Sequence, residues 1–242
     1  MIEFIKVKKS YGAVHALRDV SFVARNGEIT GILGPNGAGK TTSLRCAATT
    51  VVPDEGSVVV DGIDCRDVAG VRARIGVLPH TAGLYGRMSP REHAAYFARL
   101  YGVPEAMASQ RFSRIVQTLQ MEDFADRRAD GFSQGQKLKT AIARALIHDP
   151  ANLILDEPTS GLDVAGTRAM RTVIRGLKEA GKCILFSSHV MQEVTALCDR
   201  VVVIAGGQVR AQGTPDELLA QTGKSNLEDA FVAAIGSDEG IS

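Results

Sequence analysis

Short apolar runs closed by glycine turns alternate along this chain with stretches whose apolar positions recur at helical spacing. Residues 2–8 and 14–25 read as two strands around a turn at Ser10-Tyr11-Gly12. In the second, Val20, Phe22 and Ala24 alternate with Ser21, Val23 and Arg25, the period of a half-buried strand. Asn26-Gly27 is a turn dipeptide and leads into Ile29-Thr30-Gly31-Ile32-Leu33, a run suited to a buried strand. Thr42-Ser43-Leu44-Arg45-Cys46-Ala47 then predict the first turns of a helix. After the turn Pro53-Asp54-Glu55-Gly56 comes the strand Ser57-Val58-Val59-Val60, with Asp61-Gly62 turning behind it. Residues 71–73 lead into another strand, Ile75-Gly76-Val77-Leu78, which ends at Pro79-His80.

The pattern changes near residue 88. Ser89-Pro90-Arg91-Glu92 combines a capping box with proline at the first helical position. Ala94, Ala95, Phe97, Ala98, Leu100 and Tyr101 follow as a helical stripe, broken at Gly102-Val103-Pro104. Met107, Ile115, Val116 and Leu119 mark a second helix. Ser133 and Gln136 have capping-box spacing and open a third, whose apolar face is Leu138, Ala141, Ile142, Ala145 and Leu146. Asp149-Pro150 ends it. With no strand signal over about residues 88–148, this block reads as a helical subdomain inserted into an α/β core.

Beyond it, Leu153-Ile154-Leu155 is a continuous apolar strand ending in Asp156-Glu157. Pro158-Thr159-Ser160-Gly161-Leu162-Asp163 is a loop, and Asp163 is placed to cap a helix carrying Met170, Val173, Ile174 and Leu177. Cys183-Ile184-Leu185-Phe186 predicts a further buried strand, ending at Ser187-Ser188-His189. Val201-Val202-Val203-Ile204 predicts another, and Thr214-Pro215 caps a short helix. Residues 221–242 read as a tail with one short helix from Leu227 to Ile235 and a loose end.

Composition narrows the classes. A hydrophobic share of 45% and a charged share of 23% are ordinary for a globular protein. The formal net charge of +1 gives no electrostatic footprint for nucleic acid or anionic lipid. No apolar run approaches the ~20 residues that span a bilayer. The first residues, Met1-Ile2-Glu3-Phe4-Ile5-Lys6, lack a signal-peptide pattern. Cys46, Cys65, Cys183 and Cys198 show no C-x-x-C spacing and read as free thiols of a reducing compartment, over a disulfide or a zinc site.

The candidate chemistry sits at strand ends. Gly34-Pro35-Asn36-Gly37-Ala38-Gly39-Lys40-Thr41 fits the G-x-x-x-x-G-K-[ST] phosphate loop at every fixed position, in the required strand–loop–helix context. Its glycines let backbone N–H groups turn inward around phosphate oxygens, and the helix N-terminus adds partial positive charge. Lys40 is placed to reach the β- and γ-phosphates and Thr41 to ligate Mg²⁺. Asp156 and Glu157 follow a buried strand, where parallel sheets bind ligands. They suit Mg²⁺ binding and polarisation of an attacking water respectively, against the alternative of solvated turn acids. Gly135, two residues after Ser133, is a poor choice for a mere helix cap and suggests an anion site there. Taken alone, His189 reads as a plain cap, and Tyr11 as either a half-buried turn aromatic or a ring for stacking on adenine.

These motifs, in this order, resemble the ATP-binding cassette of ABC transporters over about residues 2–220. Residues 34–41 look like Walker A, with Thr42 beside it at the helix start. Leu153-Ile154-Leu155-Asp156 looks like Walker B, and Glu157 matches the catalytic glutamate. Phe132-Ser133-Gln134-Gly135-Gln136 resembles the signature Leu-Ser-Gly-Gly-Gln. Ser160-Gly161-Leu162-Asp163 looks like the D-loop, His189 matches the switch histidine, and Tyr11 the adenine-stacking aromatic. Three positions, in two motifs, depart from the pattern. Phe132 and Gln134 replace the usual Leu and Gly, and His80 stands where the Q-loop glutamine is usual. A neutral imidazole can accept a bond from a metal-bound water or meet Mg²⁺ through one nitrogen. His80 is therefore expected to keep the Q-loop role and to make activity sensitive to pH below about 6.5.

The resemblance implies an α/β P-loop NTPase core with a mixed, mainly parallel sheet, an N-terminal antiparallel β subdomain and the helical insertion. It implies an ATPase using ATP and Mg²⁺, with two cassettes paired head to tail as a homodimer. Each ATP would touch the Walker motifs of one subunit and the segment from Ser133 to Gly135 of the other, with Gln136 and Asp163 as further nucleotide-binding candidates. A separate transmembrane permease subunit is implied, with this cassette peripheral on the cytoplasmic face of the cell membrane and meeting the permease through the helical block and the loop His80-Thr81-Ala82-Gly83-Leu84-Tyr85-Gly86-Arg87. Residues 78–87 are similar to ATP-binding subunits of sodium-export transporters, with drug and polysaccharide export subunits close kin. Two rivals remain. A cassette ATPase acting on nucleic acid or the ribosome typically carries a coiled-coil insertion or a second cassette, and neither is present here. A small-molecule kinase would not explain residues 133–136 or 160–163.

Overall fold

A computed structural model describes residues 1–81 and 83–236. The expected loose end beyond residue 236, and Ala82 in the expected permease-facing loop, lie outside the described residues. Strands β1 (Ile2–Tyr11) and β2 (Val14–Ala24) form an antiparallel hairpin, and β3 (Ile29–Leu33) leads into helix α1 (Lys40–Ala47). Then come β4 (Glu55–Val60), the two-residue β5 (Ile63–Asp64), helix α2 (Val68–Arg72) and β6 (Ile75–Leu78). The helical block is α3 (Pro90–Leu100), α4 (Glu105–Leu119) and α5 (Gln134–Leu146). The chain returns through β7 (Asn152–Asp156), α6 (Val164–Glu179), β8 (Cys183–Ser188), α7 (Met191–Leu197) and β9 (Arg200–Ala205). It closes with β10 (Gln208–Gly213), α8 (Pro215–Thr222) and α9 (Leu227–Ile235).

The described strands form one ten-stranded sheet in the order β5-β4-β1-β2-β10-β9-β3-β8-β7-β6. The run β9-β3-β8-β7-β6 is parallel, and β5-β4-β1-β2 is antiparallel. The two halves meet through β10, antiparallel to β9 and parallel to β2 at Gln208 and Asp19. Successive side chains of a strand point to opposite faces, so each core strand feeds two apolar layers. Leu153 and Leu155 join Ile184, Phe186 and the helical block, while Ile154 joins Leu185, Val202 and α1 on the other face. That double burial is why these strands read as continuous apolar runs.

Local rules account for most helix ends. Ser89 with Glu92, Ser133 with Gln136 and Thr214 with Glu217 each form a reciprocal capping box. Asp163 caps α6 by accepting from the Gly166 amide. Val20, Phe22 and Ala24 are buried as their alternation predicts. The sequence reading did not foresee α2, α7 or β10, and it ended β1 three residues short. The helical stripes it marked run through Leu100, Tyr101 and Met107, which are exposed at the ends of α3 and α4, with the Tyr101 ring stacked on His148 at 3.7 Å. All four cysteines are buried free thiols. Among the described residues no helix is long and apolar enough to cross a membrane.

Candidate functional site

Parallel pairing brings four strand ends to one edge of the sheet. Leu33 at the end of β3 lies opposite Ser188 of β8, Asp156 of β7 opposite Ser187, and Leu78 of β6 opposite Leu155. The loop of residues 34–39, the Asp156-Glu157 pair, His189 and His80 therefore project from neighbouring strands at the carboxyl edge, where open α/β sheets hold ligands.

The phosphate loop is shaped by close approach. A Cβ at Gly34 would lie 2.2 Å from the Ile204 carbonyl oxygen, so β9 closes against the loop and only hydrogen fits. Gly39 is the N-cap of α1 with φ of 108°, and no side chain caps the helix. The first-turn amides are thus left facing the loop, as an anion site requires. Lys40 is 7% exposed and donates to the Gly34 carbonyl at 2.6 Å and the Pro35 carbonyl at 3.0 Å. Burial pulls its ammonium below the ordinary lysine value, opposed by the charges of Glu157 and Asp156. Lysine and both carboxylates hence share one electrostatic neighbourhood.

Asp156 is fixed by Ser187, whose hydroxyl donates to Oδ1 at 2.6 Å while accepting from the Glu157 amide at 3.1 Å. Glu157 turns the chain with φ of 51°, a left-handed conformation uncommon outside glycine and costing about 1–3 kcal/mol where it is held. Its carboxylate is flanked by two histidines. His189 Nδ1 lies 2.9 Å from Oε1, and His80 Nδ1 lies 3.7 Å from Oε2. A carboxylate only accepts, so His189 carries its proton on Nδ1 in this pair. His189 is not a helix cap, since Val190 occupies that position of α7.

Thr41, His80 and Asp156 line one cleft of about 570 Å³ with Leu78 and Pro79. A hydroxyl and a carboxylate converging there are the hard oxygen donors Mg²⁺ takes, so these residues fit that ion.

The remaining sequence-derived candidates lie further out. Ser133 caps α5, and its hydroxyl accepts from the Gln136 amide at 3.3 Å. Phe132 is buried edge-on against Phe124 at 5.4 Å, so the larger ring serves the helical core. Gln134 is exposed, with Cγ beside Gly161, and Gly135 lies near Leu162. Residues 132–136 and 160–163 of one chain are thus neighbours. Tyr11 ends β1 and is 46% exposed, with the Lys9 ammonium 5.6 Å from its ring centre. The strand after it returns alongside the phosphate loop, where Ala16 O approaches Gly39. Sequence reasoning missed Ser187, Ser188, Thr159 and Glu193. For Ser187 and Ser188 the sequence signal is polarity at the end of an apolar strand, whereas Thr159 lies in the loop after β7 and Glu193 on α7, where no local pattern singles them out.

Known proteins match this arrangement. The family model for ABC transporters matches residues 17–160. The chain is 45% identical over 224 residues to the ABC transporter ATP-binding protein NatA of Bacillus subtilis, covering 92% of this chain and 91% of that protein. It is 40% identical over 220 residues to the Nod factor export ATP-binding protein I of Paraburkholderia xenovorans, covering 90% and 72%. A solved ATP-binding subunit of an ABC transporter superposes with a TM-score of 0.89 at 29% identity, covering 97% of this chain and 99% of that one. A dimeric ATP-binding cassette in a post-hydrolysis state with ADP and Pi superposes at 0.79 and 25% identity, covering 88% and 98%. The chain belongs to the ABC transporter family and is an ATP-binding, ATP-hydrolysing subunit of that family.

Proposed function

We propose that this cassette drives an export permease, ATP closing a head-to-tail pair of cassettes and hydrolysis opening it. The observation that carries the hydrolytic part is the Glu157 carboxylate held between His189 and His80 beside Asp156. In this reading Glu157 orients and polarises the attacking water. Lys40 offsets charge on the β- and γ-phosphates, and His189 contacts the γ-phosphate. Thr41 and Asp156, with His80, would hold Mg²⁺, which when bound offsets phosphate charge. Ser133, Gly135 and Gln136 of a second subunit would complete the γ-phosphate site, with Asp163 at the interface and Tyr11 on adenine. The dimeric relative supports such pairing, here as a homodimer.

The partner reading rests on surface chemistry. Tyr85, Tyr96, Leu100, Tyr101 and Met107 are exposed around α3 and the loop before it. The Tyr85 amide donates to His93 at 2.9 Å, and its ring meets Tyr96 edge-on at 6.4 Å. Such an aromatic surface is what a membrane partner's apolar segment buries. In this reading the cassette sits at the cytoplasmic face of the membrane. Drugs are a cargo class suggested by the relatives, among them a doxorubicin resistance ATP-binding protein of Mycobacterium tuberculosis, and sodium ions are the cargo suggested by the resemblance of residues 78–87. Tyr85→Glu is expected to leave basal ATPase within about twofold and to lower permease-stimulated ATPase at least about tenfold, the loss of one interface anchor. Stimulation of the wild type by DNA or ribosomes, and not by a co-expressed permease, would overturn the transport reading.

His80 has its own test. His80→Gln keeps a neutral acceptor and is expected to hold turnover within about threefold at neutral pH, whereas His80→Leu loses about tenfold or more. If His80 fills the Q-loop role, the acid limb of the rate profile moves to lower pH in His80→Gln. An unchanged acid limb removes that role.

A further inference from the structure

Glu193 lies on α7, outside the residues assigned above, and is 6% exposed. A buried carboxylate requires partners, and this one has two. The Thr159 hydroxyl donates to its Oε2, and the Ser188 hydroxyl donates to the same oxygen at 3.1 Å. Both donors are themselves buried. Thr159 belongs to the loop after β7, two residues past Glu157. Ser188 ends β8, immediately before His189. The Ser188 hydroxyl also accepts from the Val190 amide at 3.0 Å, so the segment carrying His189 is held on both sides. The Glu157 carbonyl accepts from the Ser160 amide at 3.1 Å, which makes residues 157–160 one tight turn.

We infer that Glu193 is a positioning residue for ATP hydrolysis: it fastens the loops after β7 and β8 together and thereby sets the pairing of Glu157 with His189. The inference rests on the catalytic reading of those two residues. Glu193 touches neither. Its effect passes through Thr159 to the turn bearing Glu157 and through Ser188 to the segment bearing His189. A fixed separation matters because displacement of a reacting group by about 1 Å can cost ~100-fold in rate.

The convergence on one oxygen makes the test selective. Glutamine can present its carbonyl oxygen to both hydroxyls, and leucine of similar size presents nothing. Glu193→Leu is expected to lower kcat at least about tenfold with KM for ATP within about twofold, and Glu193→Gln to restore kcat to within about threefold. Thr159→Val and Ser188→Ala should each lower kcat several-fold, and neither should lower it further in the Glu193→Leu background. The His189 imidazole resonance, assigned with His189→Ala, should shift in Glu193→Leu and return in Glu193→Gln. Should Glu193→Leu not fold, the Thr159 and Ser188 variants carry the same kcat and resonance tests. The inference is overturned if Glu193→Leu retains kcat, if Glu193→Gln loses as much as leucine, or if kcat and KM worsen in step with lowered Tm. Full turnover in Glu157→Gln would instead overturn the catalytic reading. An inactive Glu157→Gln beside a normal Glu193→Leu would overturn the positioning role alone.

Discussion

Glu157→Gln is expected to lower ATP turnover at least about a hundredfold, the contribution of a positioned general base, while ATP affinity stays within about twofold. The substitution is nearly isosteric, and its amide oxygen can still accept from His189 Nδ1. Glutamine tolerates the left-handed turn at this position no worse than glutamate, so the backbone is not the variable. What is lost is the negative charge that polarises a water. Lys40 and the phosphate loop are untouched, so binding survives. If ATP holds two subunits together and hydrolysis releases them, the variant should also accumulate as an ATP-dependent dimer on size-exclusion chromatography. Phosphate release measures the first effect and elution volume the second. Undiminished phosphate release removes Glu157 from its role, and a monomer in saturating ATP removes the closure step.

How much of this was legible in the sequence depended on the range of the interaction. The capping boxes at Ser89 and Ser133 are contacts between residues three apart, and each appeared where its spacing predicted, while Thr214, read as a cap, forms a box with Glu217 as well. The strands β3, β7, β8 and β9 were legible because burial on both faces leaves an uninterrupted apolar run. β10 was not, because Gln208, Arg210 and Gln212 interrupt any such run and pairing with β9 and β2 makes it a strand. Periodicity identifies a helical stripe and not what covers it, so Leu100 and Met107 continue the stripes of α3 and α4 and are nevertheless exposed. In the site, Asp156 and Glu157 could be read from a strand end. The Ser187 bond to Asp156 spans 31 residues and the Thr159–Glu193 bond 34, separations that no local pattern encodes. The pairing of His80 and His189 with a single carboxylate likewise follows only from the order β3-β8-β7-β6.

Lys40→Met is the other large effect, and it should separate affinity from stability. Hydrogen bonds to charged groups are worth about 1.5–3 kcal/mol, so removing the ammonium should weaken ATP binding about 10- to 150-fold. The same change should not destabilise the protein without nucleotide. Burial already lowers the Lys40 pKa, which means that the fold disfavours its charge relative to the unfolded chain. For a base with a lowered folded-state pKa, the cost is fully present below that pKa and disappears above the unfolded value. At neutral pH the wild type therefore carries a desolvated ammonium that methionine relieves. Methionine does leave the Gly34 and Pro35 carbonyls without the lysine donor, which offsets part of the gain. The expected result is a Tm without nucleotide that is equal to or above wild type, and a much smaller rise on adding ATP. A ligand at 100 times its Kd stabilises by about 2.7 kcal/mol, and at its Kd by only about 0.4 kcal/mol. Thermal melts at one fixed ATP concentration, set near 100 times the wild-type Kd, read both quantities at once. An undiminished nucleotide increment would show that Lys40 does not hold the phosphates, and a lowered Tm without nucleotide would show that its bonds across the loop outweigh the burial of its charge.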